Sequence, residues 1–162
     1  MNKFASILKD VITTKAYAAR TFASDPLQSF MFKVQISGLP DGVGFQKVSG
    51  LSREVEVIEY VENMYSHTHK LPGRESVGEI TFERGMYADK NIQNLYEKVL
   101  KTADKKATRN TVTLKICDRF GEVRREFQMA ECWFSKYECS DLDSTSSDVI
   151  IETLTMQFEY FM

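Results

Sequence analysis

His67 and His69 are the only histidines in the chain. Alternate residues on a strand point to one face, so the pair could begin a zinc site, which needs three or four ligands. No third ligand lies nearby, and Pro72-Gly73 follows closely, so the pair reads as part of a surface loop. Cys117, Cys132 and Cys139 are odd in number, have no metal-binding spacing and lie near no histidine in a protease pattern. Cys117 and Cys132 fall in strand-like segments, where free thiols serve as small core side chains. Gly42-Val43-Gly44 lacks the third glycine and the following helix of a dinucleotide site, and there is neither a phosphate-binding loop nor a G-x-S-x-G elbow. The carboxylates are scattered along strand faces. These residues imply a non-enzyme that needs no cofactor and no metal.

The elements that carry these residues belong to a chain of 162 residues, 43% hydrophobic and 27% charged. That is one domain, or one domain with a tail. With 21 basic and 23 acidic residues the formal net charge is -2, too mild for a protein whose main ligand is nucleic acid. No uncharged stretch approaches the ~18 apolar residues of a membrane-spanning helix. Lys9, Asp10 and Lys15 interrupt the apolar start, which argues against secretion by a cleaved signal. Charge is unevenly placed, however. Residues 53–85 carry net -3, residues 90–125 net +6 and residues 126–162 net -7. Solvated faces of a monomer explain that pattern, as does a subunit turning an acidic face one way and a basic face another.

Residues 1–24 form an N-terminal amphipathic extension. Phe4, Ile7, Leu8, Val11 and Ile12 recur at helical spacing and make one stripe, suited to the domain itself, a neighbouring subunit or a membrane surface. Asp25-Pro26 marks its end. The domain over 25–162 then alternates with period two. Phe30, Phe32, Val34 and Ile36 face one way, and residues 52–62 make a longer strand with Glu54, Glu56 and Glu62 opposite Val55, Val57 and Val61. Residues 63–76 read as a long polar loop, and Ile80 and Phe82 point inward from a strand over 78–85. A helix follows, with Asp89 as N-cap and Ile92, Leu95, Tyr96, Val99 and Leu100 as its buried stripe. Strands are expected over 111–117, 122–139 and 149–161, the last with Leu154, Met156, Phe158 and Tyr160 inward. Residues 141–148 are an acidic loop. The fold class is mainly β, an antiparallel barrel or sandwich with one flanking helix.

Several of these phrases occur in an order that resembles the tail tube proteins of contractile phage tails and related contractile injection systems. They are Asp25-Pro26 before an F-x-F-x-V strand, GFQKVSGLSREVEVIEY, KLPG at 70–73, and GEITFERG at 78–85 followed by a helix. The likeness covers residues 25 to about 100, TMQFEYF is compatible with it, and residues 1–24 lie outside it. It implies a small β-barrel whose copies join edge to edge into hexameric rings that stack as a hollow tube for DNA or effector passage. Open sheet edges invite such association, and an acidic lining would repel phosphate and keep cargo sliding. The implied partners are further copies of the chain, a tail sheath protein, baseplate and tail-terminator proteins, and a tape-measure protein or DNA passing through the lumen. The implied location is a virion tail or injection particle assembled in the bacterial host cytoplasm. Alternatives are a tube or initiator-ring protein of a bacteriocin-type particle and, in a different class, a monomeric β-barrel carrying a small ligand.

Within the tube reading, Glu54, Glu56, Glu79 and Glu83 are expected to face the channel from two facing strands. Thr153, Thr155, Gln157 and Glu159 would form a second lining strip. Lys98, Lys101, Lys105 and Lys106 crowd the second half of the helix, where its dipole favours cations, and are expected to face the sheath. The loop 63–76 exceeds the ~2–5 residues of a hairpin turn. The resemblance places this hairpin extension between rings, so Met64, Tyr65, Lys70, Leu71 and Arg74 are expected at the axial contact.

Overall fold

The computed structural model describes residues 26–63, 66–103 and 108–162. The amphipathic stripe of residues 1–24, with Met64, Tyr65, Lys105 and Lys106, lies outside the described residues. Two antiparallel sheets are present. The larger has the strand order β1 (Phe32–Ile36), β6 (Asn110–Cys117), β7 (Val123–Cys139), β8 (Ile151–Gln157), β5 (Ile80–Gly85) and β2 (Lys47–Ser49), with β9 (Tyr160–Phe161) paired to β7. The smaller contains only β3 (Arg53–Tyr60) and β4 (His69–Val77). Strands β1 and β2 end the large sheet without pairing to each other, so it folds over as an open sandwich rather than a closed barrel.

Strand β7 makes that folding possible. Its first half pairs with β6 and β9, its second half with β8. Between them the register against β6 passes from Val112–Met129 to Asn110–Cys132, which leaves one extra residue in β7. Glu131 there adopts φ 55, a left-handed conformation that costs a non-glycine residue energy and turns the strand. Arg109 holds the turn, donating from Nη1 to the Glu131 carbonyl oxygen at 2.8 Å and pairing through Nη2 with Glu159 at 3.0 Å.

The alternation expected from the sequence builds the core. Ile36, Val112, Leu114 and Met129 meet Ile80, Phe82, Phe134, Leu154 and Met156 across the layers. The single described helix, α1 (Asn91–Lys101), adds Ile92 and Leu95. Its stripe is narrower than expected: Leu100 is 62% exposed. Lys90 rather than Asp89 is the N-cap; Asp89 instead accepts hydrogen bonds from Asn91 and Arg84. Strand β8 stops at Gln157, and Tyr160 restarts as β9, half exposed rather than inward. Cys117 and Cys132 are buried and Cys139 is exposed, all three as free thiols. Burial pushes the Cys132 thiol up to about 11.

Candidate assembly surfaces

The hairpin β3–β4 stands apart from this core. All eight residues of β3 are exposed. Its register runs from Arg53 opposite Val77 to Tyr60 opposite His69, with a bulge between Val55 and Val57. Residues 69–76, expected as loop, are therefore in a strand, and the connection between the two strands is residues 61–68. Directly opposed residues in an antiparallel pair share a face. Ile58 and Leu71 thus share one face of the hairpin, and both are about half exposed. Val57, Tyr60 and Val61 are exposed by 59%, 51% and 66%. Ion pairs tie the two strands at both ends, Arg53 with Glu75 and Lys70 with Glu59. Arg53 holds the Glu75 carboxyl below its ordinary range by donating a hydrogen bond.

The hairpin leaves the sandwich through a tight root. Gly50 has φ +88, and a Cβ there would lie 2.1 Å from the carbonyl oxygen of Glu79. A Cβ on Gly78 would meet the Ser52 hydroxyl at the same distance. At Gly50 only glycine tolerates both the conformation and the close approach to backbone, so this residue fixes where the hairpin emerges, while at Gly78 a side chain would have to turn the Ser52 hydroxyl aside.

Glu54 and Glu56 lie on this hairpin, whereas Glu83 belongs to β5 and Glu79 directly precedes it. The expected facing arrangement of the four carboxylates does not form, because β3 pairs with β4 and β5 pairs with β2 and β8. What the register brings together is a different strip on the outer face of β2, β5 and β8. Glu83 stands opposite Thr153 and Thr81 opposite Thr155. Glu83 accepts a hydrogen bond from Lys47 at 2.7 Å, and Glu79 accepts one from Gln157 at 2.9 Å. The strip is polar but partly neutralised. Thr155 is only 8% exposed, set in a strand flanked on both sides. Glu159 falls outside the strip, in the break after β8, where it pairs with Arg109.

On α1, Lys98 and Lys101 are exposed in the last turn, and Lys101 pairs with Glu97 one turn earlier. The helix ends at Lys101, short of positions 105 and 106. Leu71 lies in β4 with Lys70 and Arg74, all exposed.

The sequence reading missed a buried polar cluster under the helix. Arg84 and Glu152 are each 4% exposed. Arg84 Nε donates to Glu152 Oε1 at 2.5 Å and its Nη2 to Asp89 Oδ1 at 2.7 Å, while the Tyr137 hydroxyl donates to Glu152 Oε2 at 3.1 Å. Burial opposes the charge on Arg84, yet the hydrogen bonds to Glu152 and Asp89 carry its pKa above the ordinary value. Burial, with the neighbouring Cys139 and Glu152, also raises the pKa of Tyr137. A signal existed: Arg84 shares the strand parity of Ile80 and Phe82, and Glu152 that of Leu154 and Met156.

His67 and His69 pack edge to face at the hairpin end, ring centroids 4.7 Å apart. Among the described residues no group of three or more His, Cys, Asp or Glu could hold a metal ion.

The sequence model of the family described as T4-like virus tail tube protein gp19 matches residues 28–162. No curated protein matches the chain by sequence. Among solved structures, a chain of the anti-feeding prophage baseplate superposes with TM-score 0.74 at 22% identity, covering 86% of this chain and 95% of that one. A chain of the PVC extracellular contractile injection system, from its sheath-tube complex in the extended state, gives 0.75 at 18%, covering 87% and 93%. One from the anti-feeding prophage tube-terminating cap gives 0.74 at 21%, covering 91% and 97%. At these identities the likeness is one of fold.

Proposed function

The chain belongs to the T4-like virus tail tube protein family, and from that premise we propose that it is a non-catalytic tube subunit whose copies form hexameric rings and stack through the β3–β4 hairpin. The observation that carries this reading is the hairpin itself. It presents Ile58, Tyr60 and Leu71 to solvent on one face, with nothing among the described residues to cover them. Contiguous exposed apolar surface of this kind marks an interaction site, and the Gly50 root fixes where the hairpin leaves the sandwich. In a stacked ring these side chains pack on the next ring. Lys70 and Arg74 meet acidic groups there.

The strip of Glu79, Glu83, Thr153, Thr155 and Gln157 faces the channel in this arrangement, with Glu54 and Glu56 continuing it along the hairpin. Its polar, apolar-poor composition suits a wall along which DNA, an effector or a tape-measure protein slides without sequence-specific binding. Lys98 and Lys101 face outward toward a sheath. Sheath, baseplate and terminator proteins are the further partners, supported by the complexes in which the similar folds occur. The particle is a phage-type tail or an injection device assembled in the host cytoplasm. A small-ligand carrier is disfavoured by the open sandwich and the family membership.

The test replaces Ile58 and Leu71 together by Asp. The sandwich does not use either side chain, so the variant should fold normally and remain as subunits or single rings in negative-stain images and sizing. Tubes of ordinary length and stability from Ile58→Asp/Leu71→Asp would overturn the hairpin as the stacking element.

A further inference from the structure

The connection from β7 to β8, residues 140–150, meets the segment after β5 at one end of the sandwich. The Met86 amide donates to the Ile150 carbonyl oxygen at 2.8 Å, and a Cβ on Gly85 would lie 3.5 Å from Cγ1 of Val149. Leu142, Val149 and Ile150 line a groove of about 840 Å3 there, together with Asp141, Asp143 and Asp148. Leu142 is 77% exposed and Val149 70%, so nothing among the described residues covers these side chains. No basic residue lies between Ser140 and Ile151. The Thr145 amide and hydroxyl donate to Asp143 at 2.8 and 2.7 Å and hold its carboxyl below the ordinary range. The groove is apolar and acidic at once.

We propose that this groove receives the β3–β4 hairpin of a second copy of the chain. Ile58, Tyr60 and Leu71 pack on Leu142, Val149, Ile150 and Met86, while Lys70 and Arg74 reach the three aspartates. The inference rests on the stacking role proposed for the hairpin and names the surface that this role requires. Position is the first argument. In the antiparallel pair β5–β8, Ile80 stands opposite Met156 at one end and Gly85 opposite Ile151 at the other, about 17 Å of strand apart. The hairpin root, where Gly50 meets Glu79, adjoins the first end; the groove adjoins the second. One copy can therefore give its hairpin and receive another at the same time. Such a head-to-tail contact does not close between two copies and continues along a stack. Apolar matching is the second argument, since each surface leaves large hydrophobic side chains in water. Charge is the third. Pairing groove to groove would set aspartates against aspartates, which like-charge repulsion opposes, whereas the hairpin brings exposed cations on the strand that carries Leu71. Glu54 and Glu56 share the face of Ile58 but lie nearer the root, outside the contact.

The test places a benzophenone amino acid at Leu71 in the concentrated full chain. Irradiation should join two polypeptides at residues 86–87 or 140–150, mapped by peptide mass. Leu142→Asp/Val149→Asp in the same chain should cut that product about tenfold. Its circular dichroism and melting temperature should not change, since neither side chain is buried. Rings of Leu142→Asp/Val149→Asp keep their hairpins, and rings of Ile58→Asp/Leu71→Asp keep their grooves. Mixed, they should pair once and grow no further in negative-stain images. Adducts between polypeptides at any other place would overturn the groove as acceptor and leave the hairpin's stacking role standing. A mixture that fails to pair, or tubes of ordinary length from Leu142→Asp/Val149→Asp alone, would do the same. Adducts confined to one polypeptide, or none on protein, would overturn the stacking role and the groove with it.

Discussion

In the sandwich, Phe82, Phe134, Leu154 and Met156 are each 1% exposed or less, whereas in the hairpin Val57, Tyr60 and Leu71 are each more than half exposed. Sandwich strands and hairpin strand β3 are alike rich in β-branched and aromatic residues, so local propensity does not separate β3 from the core strands. What separates them is the partner: sandwich strands face a second layer of the same chain, and hairpin strands face none among the described residues. An isolated two-stranded hairpin is marginal in water. Side chains kept apolar there contribute little to the folded subunit. In the tube function proposed above their value lies in contacts with another copy, so fold stability and assembly should respond to different residues.

The sharpest way to break this comparison is a matched pair of truncations. Phe82→Ala empties space between the layers, where Phe45 also packs at 5.4 Å between ring centroids. It should cost about 4 kcal/mol and lower the melting temperature by roughly 10 °C for a chain of this size. Val57→Ala in the hairpin should stay within about 0.5 kcal/mol, while weakening tube formation. Urea denaturation of the two variants checks both figures. Comparable losses would mean that the hairpin is part of the cooperative core.

The same contrast explains what was legible in the sequence. Alternation located β1, β5, β6 and β7, because each has one face against the core and its pattern records that burial. Strand β4 escaped detection because no face of it is buried, so HKLPGRESV carries no period-two signal. Its Pro72 and Gly73 suggested a turn, yet proline is tolerated in a strand that pairs on one side only, here opposite Val57. The carboxylates were recognised as polar faces, but their grouping depends on pairing partners that a strand pattern does not name. Leu100 fits the helical stripe, yet α1 packs chiefly on β7 and covers a narrower arc. Asp89 has the right type for a cap and is drawn away by Arg84.

A second test sharpens the comparison through its ion pairs. Arg84 and Glu152 are buried together, so removing one partner strands the other charge in the core. Glu152→Leu should cost about 3 kcal/mol, the low end for a broken buried pair, because Asp89 still binds the guanidinium. The double variant Arg84→Met/Glu152→Leu should recover much of that loss, since well-packed apolar residues can replace a buried pair. Thermal unfolding of the two variants decides it. No recovery in the double variant would mean that the cluster positions α1 or Tyr137 in a way packing alone cannot replace.

The smallest effect is expected at the hairpin's own ion pair, Arg53 with Glu75. Both groups are exposed, so screening by solvent and salt keeps the pair weak. Arg53 lowers the pKa of Glu75 from its ordinary value of 4.5. A carboxyl whose folded pKa is depressed stabilises the fold above its ordinary value, and that stabilisation is lost as pH falls through the lowered one. Acidification below 4.5 should therefore loosen the base of the hairpin while the sandwich is still intact. Amide exchange at residues 53–55 and 75–77 should rise in that window ahead of exchange in β6 and β7, and high salt at neutral pH should reproduce part of the rise. Glu75→Gln should flatten the pH response by removing the titrating group. An unchanged exchange profile in the unsubstituted protein from neutral pH down to the onset of global unfolding would mean that the hairpin is held by its backbone ladder and the glycine root alone.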